Sequence, residues 1–506
     1  MATNVLSSSS AAALIELAAI GQADTLLTCD PQTTFFQQTY ARTTNFAIGE
    51  HTIGFATTPP SGQNWQAATV VADSLKIGDL LGPIYLDCCL TGLPGQSTNA
   101  PNVYVQIWTP AVGYALIKDS TVTIGGTEYE TLTGEYMMMH DEISRREGSR
   151  ASKLIGDYGP YLRTGFYNTD SIGAALTDSK TLVKAMEYST RTQKILAPLP
   201  HFWTRHVGNY LNVAGGAYQD VSLRLNLRSF EDLRLQLVCN FSTGALARDL
   251  VGLQQRVLQP DQGRLVGATI LATFVQLDVA ERRLKAQATQ TMRFVYAQSA
   301  EYNTINSDAG QVKRVTNMFK NPVTRFVWAW RSATAVAEKE YFRFGGYRAV
   351  PPNVLGGTFM SQEVVPECSQ IEIRTNQQTR VIQAPEYFLY AQPYAHSARL
   401  PTRLVHSYSL ALHPDDDSRH SGSLNLSRID NLELNFTLKE RIDAVVAYPS
   451  DADYLTQSNK IGGRWETGLE PSDLQPADLT GKILFHAETI NFYKQSAGMF
   501  ALMFPK

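Results

Sequence analysis

Cysteine is scarce in this sequence: Cys29, Cys88, Cys89, Cys239 and Cys368 are the five among 506 residues. They form no Cys-x-x-Cys pair and no Cys/His ligand spacing, which excludes a disulfide scaffold and a zinc ribbon. Neighbouring Cys88 and Cys89 would point to opposite faces of a strand, so reduced thiols in an intracellular setting are expected. Basic residues are missing at the start. No Lys or Arg precedes Arg42, and Glu16 interrupts the apolar run Ala11–Ile20, so a secretory signal is not expected. No apolar stretch reaches the roughly 18 residues of a membrane-spanning helix. Charged residues make up only 18%, with a formal net charge of -3, which gives no general attraction to phosphate and excludes nucleic-acid wrapping as the first reading. Catalytic signatures are also missing: there is no Gly-x-Ser-x-Gly, no phosphate loop and no zincin helix, so neither an enzyme nor a cofactor is expected.

What is abundant is alternation. Val103–Trp108, Val221–Leu227, Leu233–Val238, Ala268–Val279 and Val323–Trp330 read as strands, with Gly and Pro between them. In the stretch "SGSLNLSRIDNLELNFTLKE", Leu432, Leu434, Phe436 and Leu438 alternate with Glu433, Asn435, Thr437 and Lys439, which predicts a half-buried strand with Asn435 on its wet face. Helical periodicity is confined to Thr131–Glu147 and Ser179–Thr190, with Met137–Met139 expected to pack a loop helix against a sandwich. The length exceeds one ordinary core, and "NFSTGALARDLVGLQQRVLQPDQGRLVG" (240–267) breaks the strand series near the middle. Two β-sandwiches in series follow, without a visible internal repeat. The domains are read as an N-terminal arm (1–25), a first sandwich (26–240), a linker (241–266) and a second sandwich (267–506).

Few residues invite a chemical role. His201 and His206 flank Trp203 without the glutamate of a metal helix, and core or loop positions are expected for both. "HPDDDSRHS" (His413–Ser421) is the one dense group of oxygen and nitrogen ligands, but it lacks the Ca²⁺-loop pattern and reads as a solvated turn. Ile124–Gly126 and Phe344–Tyr347 suit tight turns. Asn240, Asn425 and Asn435 stand in glycosylation sequons, where glycans are not expected without a secretory signal.

Several blocks, in order, resemble the double jelly-roll major capsid proteins of nucleocytoplasmic large DNA viruses, the iridovirus, phycodnavirus and giant-virus group. They are "AAIGQADTLLTCDPQTTFFQQTYARTTNFAI" (18–48), with an apolar arm before a Pro-Gln-x-Thr-Phe-Phe strand, "LIKDSTVTIGGTEYETLTGEYM" (116–137), "LPHFWTRHVGNYLNVAGGAYQDVSLRLNL" (199–227), "ATFVQLDVAERRLKAQ" (272–287), "NPVTRFVWAWR" (321–331) and "YSLALHPDDDSRHSGSLNLSRIDNLEL" (408–434). The resemblance implies an all-β fold of two consecutive eight-stranded jelly rolls with loop insertions and a few short helices. It implies a structural subunit that trimerises into pseudo-hexameric capsomers tiling an icosahedral shell. The expected partners are two further copies, neighbouring capsomers, minor capsid proteins and inner membrane components beneath the shell, with no sequence-specific nucleic acid. The expected location is the virion, after synthesis and assembly in the host cytoplasm. A carbohydrate-binding jelly roll and a minor capsid component are the alternatives. Ser427, Arg428 and Asp430, with Glu281, Arg282 and Arg283, match family blocks and are read as structural motifs. In a strand, Arg428 and Asp430 would share the face opposite Ile429 and could pair.

Overall fold

The computed structural model describes residues 8–504 except 39, 74, 100–101, 145–151, 158–166, 169–188, 241–245, 249–260, 306–307, 309, 317–318, 338, 351–358, 366–367, 430 and 439–478. It divides into two units, Met1–Asn45 and Phe46–Lys506. The first unit holds helices α1 (Ser8–Ala18) and α2 (Gln22–Thr28). Asp24 lies in the first turn of α2 and accepts from the Gly21 N–H at 2.9 Å, closing that helix end. Pro31–Phe36, read as a strand, is not one: Phe35 and Phe36 lie in a turn and are almost fully exposed.

The second unit contains two sandwiches built to one plan. The first uses β1 (Phe46–Ile53), β2 (Ala68–Ala72), β3 (Leu80–Leu90), β4 (Ile117–Ile124), β5 (Thr127–Thr133), β6 (Gln193–Pro198), β7 (Val221–Leu227) and β8 (Arg264–Leu277). The second uses β9 (Gln290–Thr304), β10 (Val312–Thr316), β11 (Pro322–Ser332), β12 (Cys368–Thr375), β13 (Gln378–Gln383), β14 (His406–Ser409), β15 (Leu432–Leu438) and β16 (Gly481–Ser496). In each, one sheet runs first–eighth–third–sixth strand and the other second–seventh–fourth–fifth: β1-β8-β3-β6 over β2-β7-β4-β5, then β9-β16-β11-β14 over β10-β15-β12-β13. That order, antiparallel throughout, is a jelly roll. The fold is therefore a double jelly roll, and the repeat that is invisible in the sequence is complete in the topology. Short strands extend the edges, and 102–108, 234–240 and their neighbours make a separate sheet among the insertions.

One sequence reading changes here. Ala268–Val279 was placed at the opening of the second sandwich, but β8 pairs with β1 (Phe46↔Leu277 to Ile53↔Ile270) and with β3, so it closes the first. The polar stretch before it connects the seventh strand to the eighth. The first sheet ends at Leu277, and helices α3 (Gly134–Ser144) and α4 (Val279–Gln287) take positions beside the two sandwiches. The helix read over Thr131–Glu147 is thus present from Gly134 to Ser144 after a strand, with Met137, Met138 and Met139 all buried. The second helical reading, Ser179–Thr190, falls almost wholly outside the described residues. The Gly125–Gly126 turn between β4 and β5 needs left-handed backbone at both positions (φ 58° and 80°), which is why two glycines stand there.

The strand Leu432–Leu438 forms as read, but its other face is not wet. β15 lies between β10 and β12, and Glu433 and Asn435 are buried there along with the leucines. Asn435 Nδ2 donates to Glu372 Oε2 at 3.0 Å, and Arg314 Nε stands 3.6 Å from Glu433. Polar cross-strand neighbours cover this face, which strict alternation cannot report.

Candidate functional site: the junction between the sandwiches

Strand β11 shows how the two halves meet. Phe326, Trp328 and Trp330 enter the core of the second sandwich, while the alternate Val327 and Ala329 join the core that fills the first. Arg325 and Arg331 share that second face. β16 does the same: Ile483, Phe485 and Ala487 face the second core, and Leu484, His486 and Glu488 face the junction. One sheet is therefore buried on both sides. An aromatic cluster of Tyr129 and Phe202 from the first half with Phe294, Tyr493 and Phe500 from the second continues the apolar contact.

Into this apolar layer the chain sets paired charges. Helix α3 is buried on nearly all sides although it carries Glu135, Asp141 and Glu142, and burying such charges is costly unless each is paired. Every one meets an arginine of the second sandwich. Glu135 lies 2.6 Å from Arg331 and 3.0 Å from Arg228. Glu142 accepts from Arg403 at 2.8 Å and from the Thr402 N–H at 2.8 Å, and Arg403 reaches on to Asp157 at 3.0 Å. Arg399 donates to the Asp141 and Glu142 carbonyls and stands 3.8 Å from the Asp141 carboxylate. Tyr136 donates to Glu488 at 2.8 Å and accepts from Arg205 at 3.0 Å. Arg325, without exposed surface, holds Glu488 at 2.8 Å, Asp415 at 2.8 Å and the Ser144 hydroxyl at 2.7 Å.

The electrostatics fit the pairing. Burial would raise the carboxyl of Glu488, but Arg325 and Arg205 outweigh it and hold it below its ordinary range. The same balance, with Arg228 and Arg331 for Glu135 and with Arg403 for Glu142, depresses both. Burial pushes the Tyr136 hydroxyl well upward despite Arg205, so it stays a donor.

His201 is a core histidine, as read. Its Nδ1 lies 3.0 Å from Glu130 and its Nε2 2.8 Å from Ser120 Oγ, so Glu130 fixes Nδ1–H and Nε2 accepts from the serine. Seryl, imidazole and carboxylate groups in this order could act as a nucleophilic triad, but all three have no exposed surface. No substrate reaches Ser120, and Glu130 spends its remaining capacity on the Phe202 and Ala297 N–H groups. His206 is exposed and caps its own turn through Gly208.

The residues singled out in the sequence lie elsewhere. Leu426–Arg428 is a 3₁₀ turn, not a strand, so the geometry expected to place Arg428 and Asp430 on one face is not there; Asp430 lies outside the described residues, and Arg428 is exposed. Ser427 matters more: its hydroxyl accepts from the N–H of Asn321, a buried residue held at φ 68°. Asn425 is exposed and caps the turn by accepting from the Ser427 N–H at 3.0 Å. Asn240 ends a strand, and its side chain lies outside the description. In α4, Arg282 reaches buried Asp79 at 2.9 Å, Glu281 lies 3.9 Å from Lys285 and Arg283 is exposed. Ser427→Ala is expected to cost about 1–2 kcal/mol, by orphaning the Asn321 N–H. Arg428→Ala should stay within about 0.5 kcal/mol. Denaturant midpoints of the two variants check the ranking, and an Arg428→Ala loss larger than that of Ser427→Ala contradicts it.

Sequence reading missed the junction because no single segment carries it. The signals were two arginines on one face of an otherwise apolar strand (Arg325, Arg331) and acidic residues inside a methionine-rich helix (Glu135, Glu142). "HPDDDSRHS" also acquires a place: Asp415 is tied to Arg325 and the Ala398 N–H, and Asp417 is nine-tenths buried. No group of three or more His, Cys, Asp or Glu arranged to hold a metal occurs among the described residues.

The described residues thus form a two-sandwich body locked by buried ion pairs, in which the Ser120, His201 and Glu130 side chains are sealed from solvent. Two family models cover most of the chain in sequence order: "Major capsid protein N-terminus" over 34–266 and "Large eukaryotic DNA virus major capsid protein" over 281–461. The major capsid protein of Phaeocystis pouchetii virus is 23% identical over 85% of this chain and 93% of its own length. That of Paramecium bursaria Chlorella virus 1 is 24% identical over 85% and 88%. The PBCV-1 capsid model superposes with a TM-score of 0.67 at 18% identity, covering 94% of this chain and all of that one. The chain belongs to the major capsid proteins of large eukaryotic DNA viruses. It is a structural subunit of the virion's capsid shell and not an enzyme.

Proposed function

We propose that three copies of this chain close into one pseudo-hexagonal capsomer, each supplying two of six corners. The observation that carries this reading is the repeated strand order of the two sandwiches together with the buried ion pairs that join them. Two similar bodies held as one rigid block give a subunit with an internal pseudo-twofold repetition, and a threefold axis then completes six. A hinge between them would let the corners of neighbouring tiles drift apart. In this reading the arm runs to Asn45, the first jelly roll from Phe46 to Leu277 and the second from Asp278 onward, with Glu281 and Arg282 anchoring the connecting helix. The Ser427 turn serves the second sandwich's own fold.

The further expected partners are neighbouring capsomers, minor capsid proteins and inner membrane components beneath the shell. Synthesis and assembly in the host cytoplasm suit a chain with few cysteines, of which Cys88 and Cys368 are buried. Its arm exposes Leu14, Leu17, Phe35 and Phe36, apolar surface suited to contacts in the assembled shell. Sedimentation at micromolar concentration tests the oligomer: a species of three times the 56.0 kDa chain mass is expected, and monomer alone contradicts it.

A further inference from the structure

A cleft of about 320 Å³ opens where the sandwiches meet, between Tyr85, His140 and Arg205 of the first half and Arg325, Asp415 and Asp417 of the second. The second half supplies its wall through the loop 413–420. That loop is tied to its own sandwich and to itself: Asp415 to Arg325 and the Ala398 N–H, the Asp417 carbonyl to Arg293, Asp416 to Ser418, His413 to Ser421. The carboxyl of Asp417 is different. It is 8% exposed and lines the cleft, and among the described residues no hydrogen-bond donor reaches it. The charges around it come from both halves. Arg205 faces it from the first sandwich, Arg293 from β9, Glu488 from β16 and Asp415 from its own loop, while Arg325 on β11 and His140 on α3 line the same cleft. Arg205 is already committed to Tyr136, Glu488 and Glu130. An ionised Asp417 would stand beside two further carboxylates, Glu488 and half-buried Asp415, which both pair with Arg325.

We infer that seating of the 413–420 loop over this cleft is linked to proton uptake at Asp417, so that the loop closes in mild acid and opens toward neutral pH. The sign follows from the environment. Burial, reinforced by Glu488 and Asp415 against the pull of Arg205 and Arg293, raises the Asp417 carboxyl from 3.8 to about 6. A raised carboxyl contributes stability that is full below pH 3.8 and is lost as pH climbs to about 6. His486, on the junction face of β16, works in the opposite direction: burial lowers it to about 4, so its contribution is full above 6.5 and falls away in acid. Buried His406, also lowered to about 4, adds to that acid loss from the second core. Only a comparison that removes Asp417 alone separates these effects.

The comparison is wild type against Asp417→Asn, read by hydrogen exchange of the 413–420 backbone amides at pH 5 and pH 7.5, corrected for intrinsic exchange. A carboxyl raised from 3.8 to about 6 has already lost part of its contribution at pH 5, so loop opening in the wild type is expected to rise by about tenfold between the two conditions. The variant should match the protected wild type at pH 5 and stay protected at 7.5, with a melting temperature above that of the wild type at the higher pH only. Equal pH dependence in both proteins overturns the inference. So does a variant that is less protected at both pH values, because the carboxylate would then be holding the loop through Arg205 as a charge. The readout is local and does not depend on whether the chain is a trimer.

Discussion

Arg325→Ala is expected to destabilise the folded chain by about 3–5 kcal/mol, the range for removing one partner from a buried pair. Arg325 is wholly buried, and its guanidinium touches Glu488, Asp415, Ser397 and Ser144. Without it, Glu488 keeps only the 3.7 Å approach of Arg205 and the Tyr136 hydroxyl, in a place water does not reach. The loss comes from stranding that carboxylate, not from the net worth of the pair. Arg325→Met combined with Glu488→Gln should therefore recover most of it, and the coupling between the two changes measures the interaction directly. Denaturant midpoints at pH 7 provide the reading. Acid gives a second one: Glu135, Glu142 and Glu488 sit below the ordinary 4.5 in the folded chain, so their contribution is present above that pH and lost as pH falls below it. A loss under 1 kcal/mol for Arg325→Ala would mean that the junction is wetter and looser than described.

Gly216→Ala is expected to cost about 1–3 kcal/mol through overpacking. A β-carbon at Gly216 would stand 2.0 Å from the ring of Phe500, itself packed on Tyr493. The neighbouring Gly215 has the same problem with the Gln495 amide at 1.8 Å. Both glycines lie in the first half's "NVAGGAY" turn, and both obstacles belong to the chain's last hairpin. Asn212 in this turn donates to Lys285 O and to Gln495 Oε1, each at 2.9 Å, so the first sandwich, helix α4 and the last long strand meet at one point. Relief requires the hairpin to move, so the variant should also lose protection at Phe500 and Ala501. Gly54→Ala, where a β-carbon meets nothing within 4 Å, serves as the neutral control. Equal melting temperatures for the two variants would contradict the close approach.

These two sites show what could be read from the chain and what could not. Period-two alternation was legible where a strand has one covered face, as in Val221–Leu227, and the Gly125–Gly126 turn announced itself through its composition. The resemblance of ordered blocks led to the right family because turn and strand chemistry is local. Long-range facts were not legible. β8 looked like the start of a new domain because a polar stretch precedes it, and only pairing with β1 and β3, far away in sequence, places it in the first sandwich. Glu433 and Asn435 looked solvated because their neighbours on β12 and β10 lie far off in sequence. Glu135, Glu142 and Arg325 did not stand out, since a buried ion pair leaves no trace in either partner's own neighbourhood. Arg428 was given weight by its place in a family block, yet the hydrogen bond that ties the turn belongs to Ser427.

The junction also explains why a shell subunit would carry buried charge in place of a plain apolar interface. Apolar surfaces can slide over one another at little cost, whereas Glu135, Glu142 and Glu488 are satisfied only in the register that brings Arg331, Arg403 and Arg325 to them. The pairs specify one relative placement of the two jelly rolls. For a tile whose neighbours repeat its corners many times over, a fixed angle between those corners is worth more than raw stability.

Electron cryomicroscopy of the purified oligomer tests this account most directly. Three chains around a threefold axis are expected, their six jelly rolls at the corners of a hexagonal outline and the two jelly rolls of each chain in van der Waals contact along β11, β16 and α3. A monomer, a twofold assembly, or a particle in which the two jelly rolls of one chain are separated would contradict it.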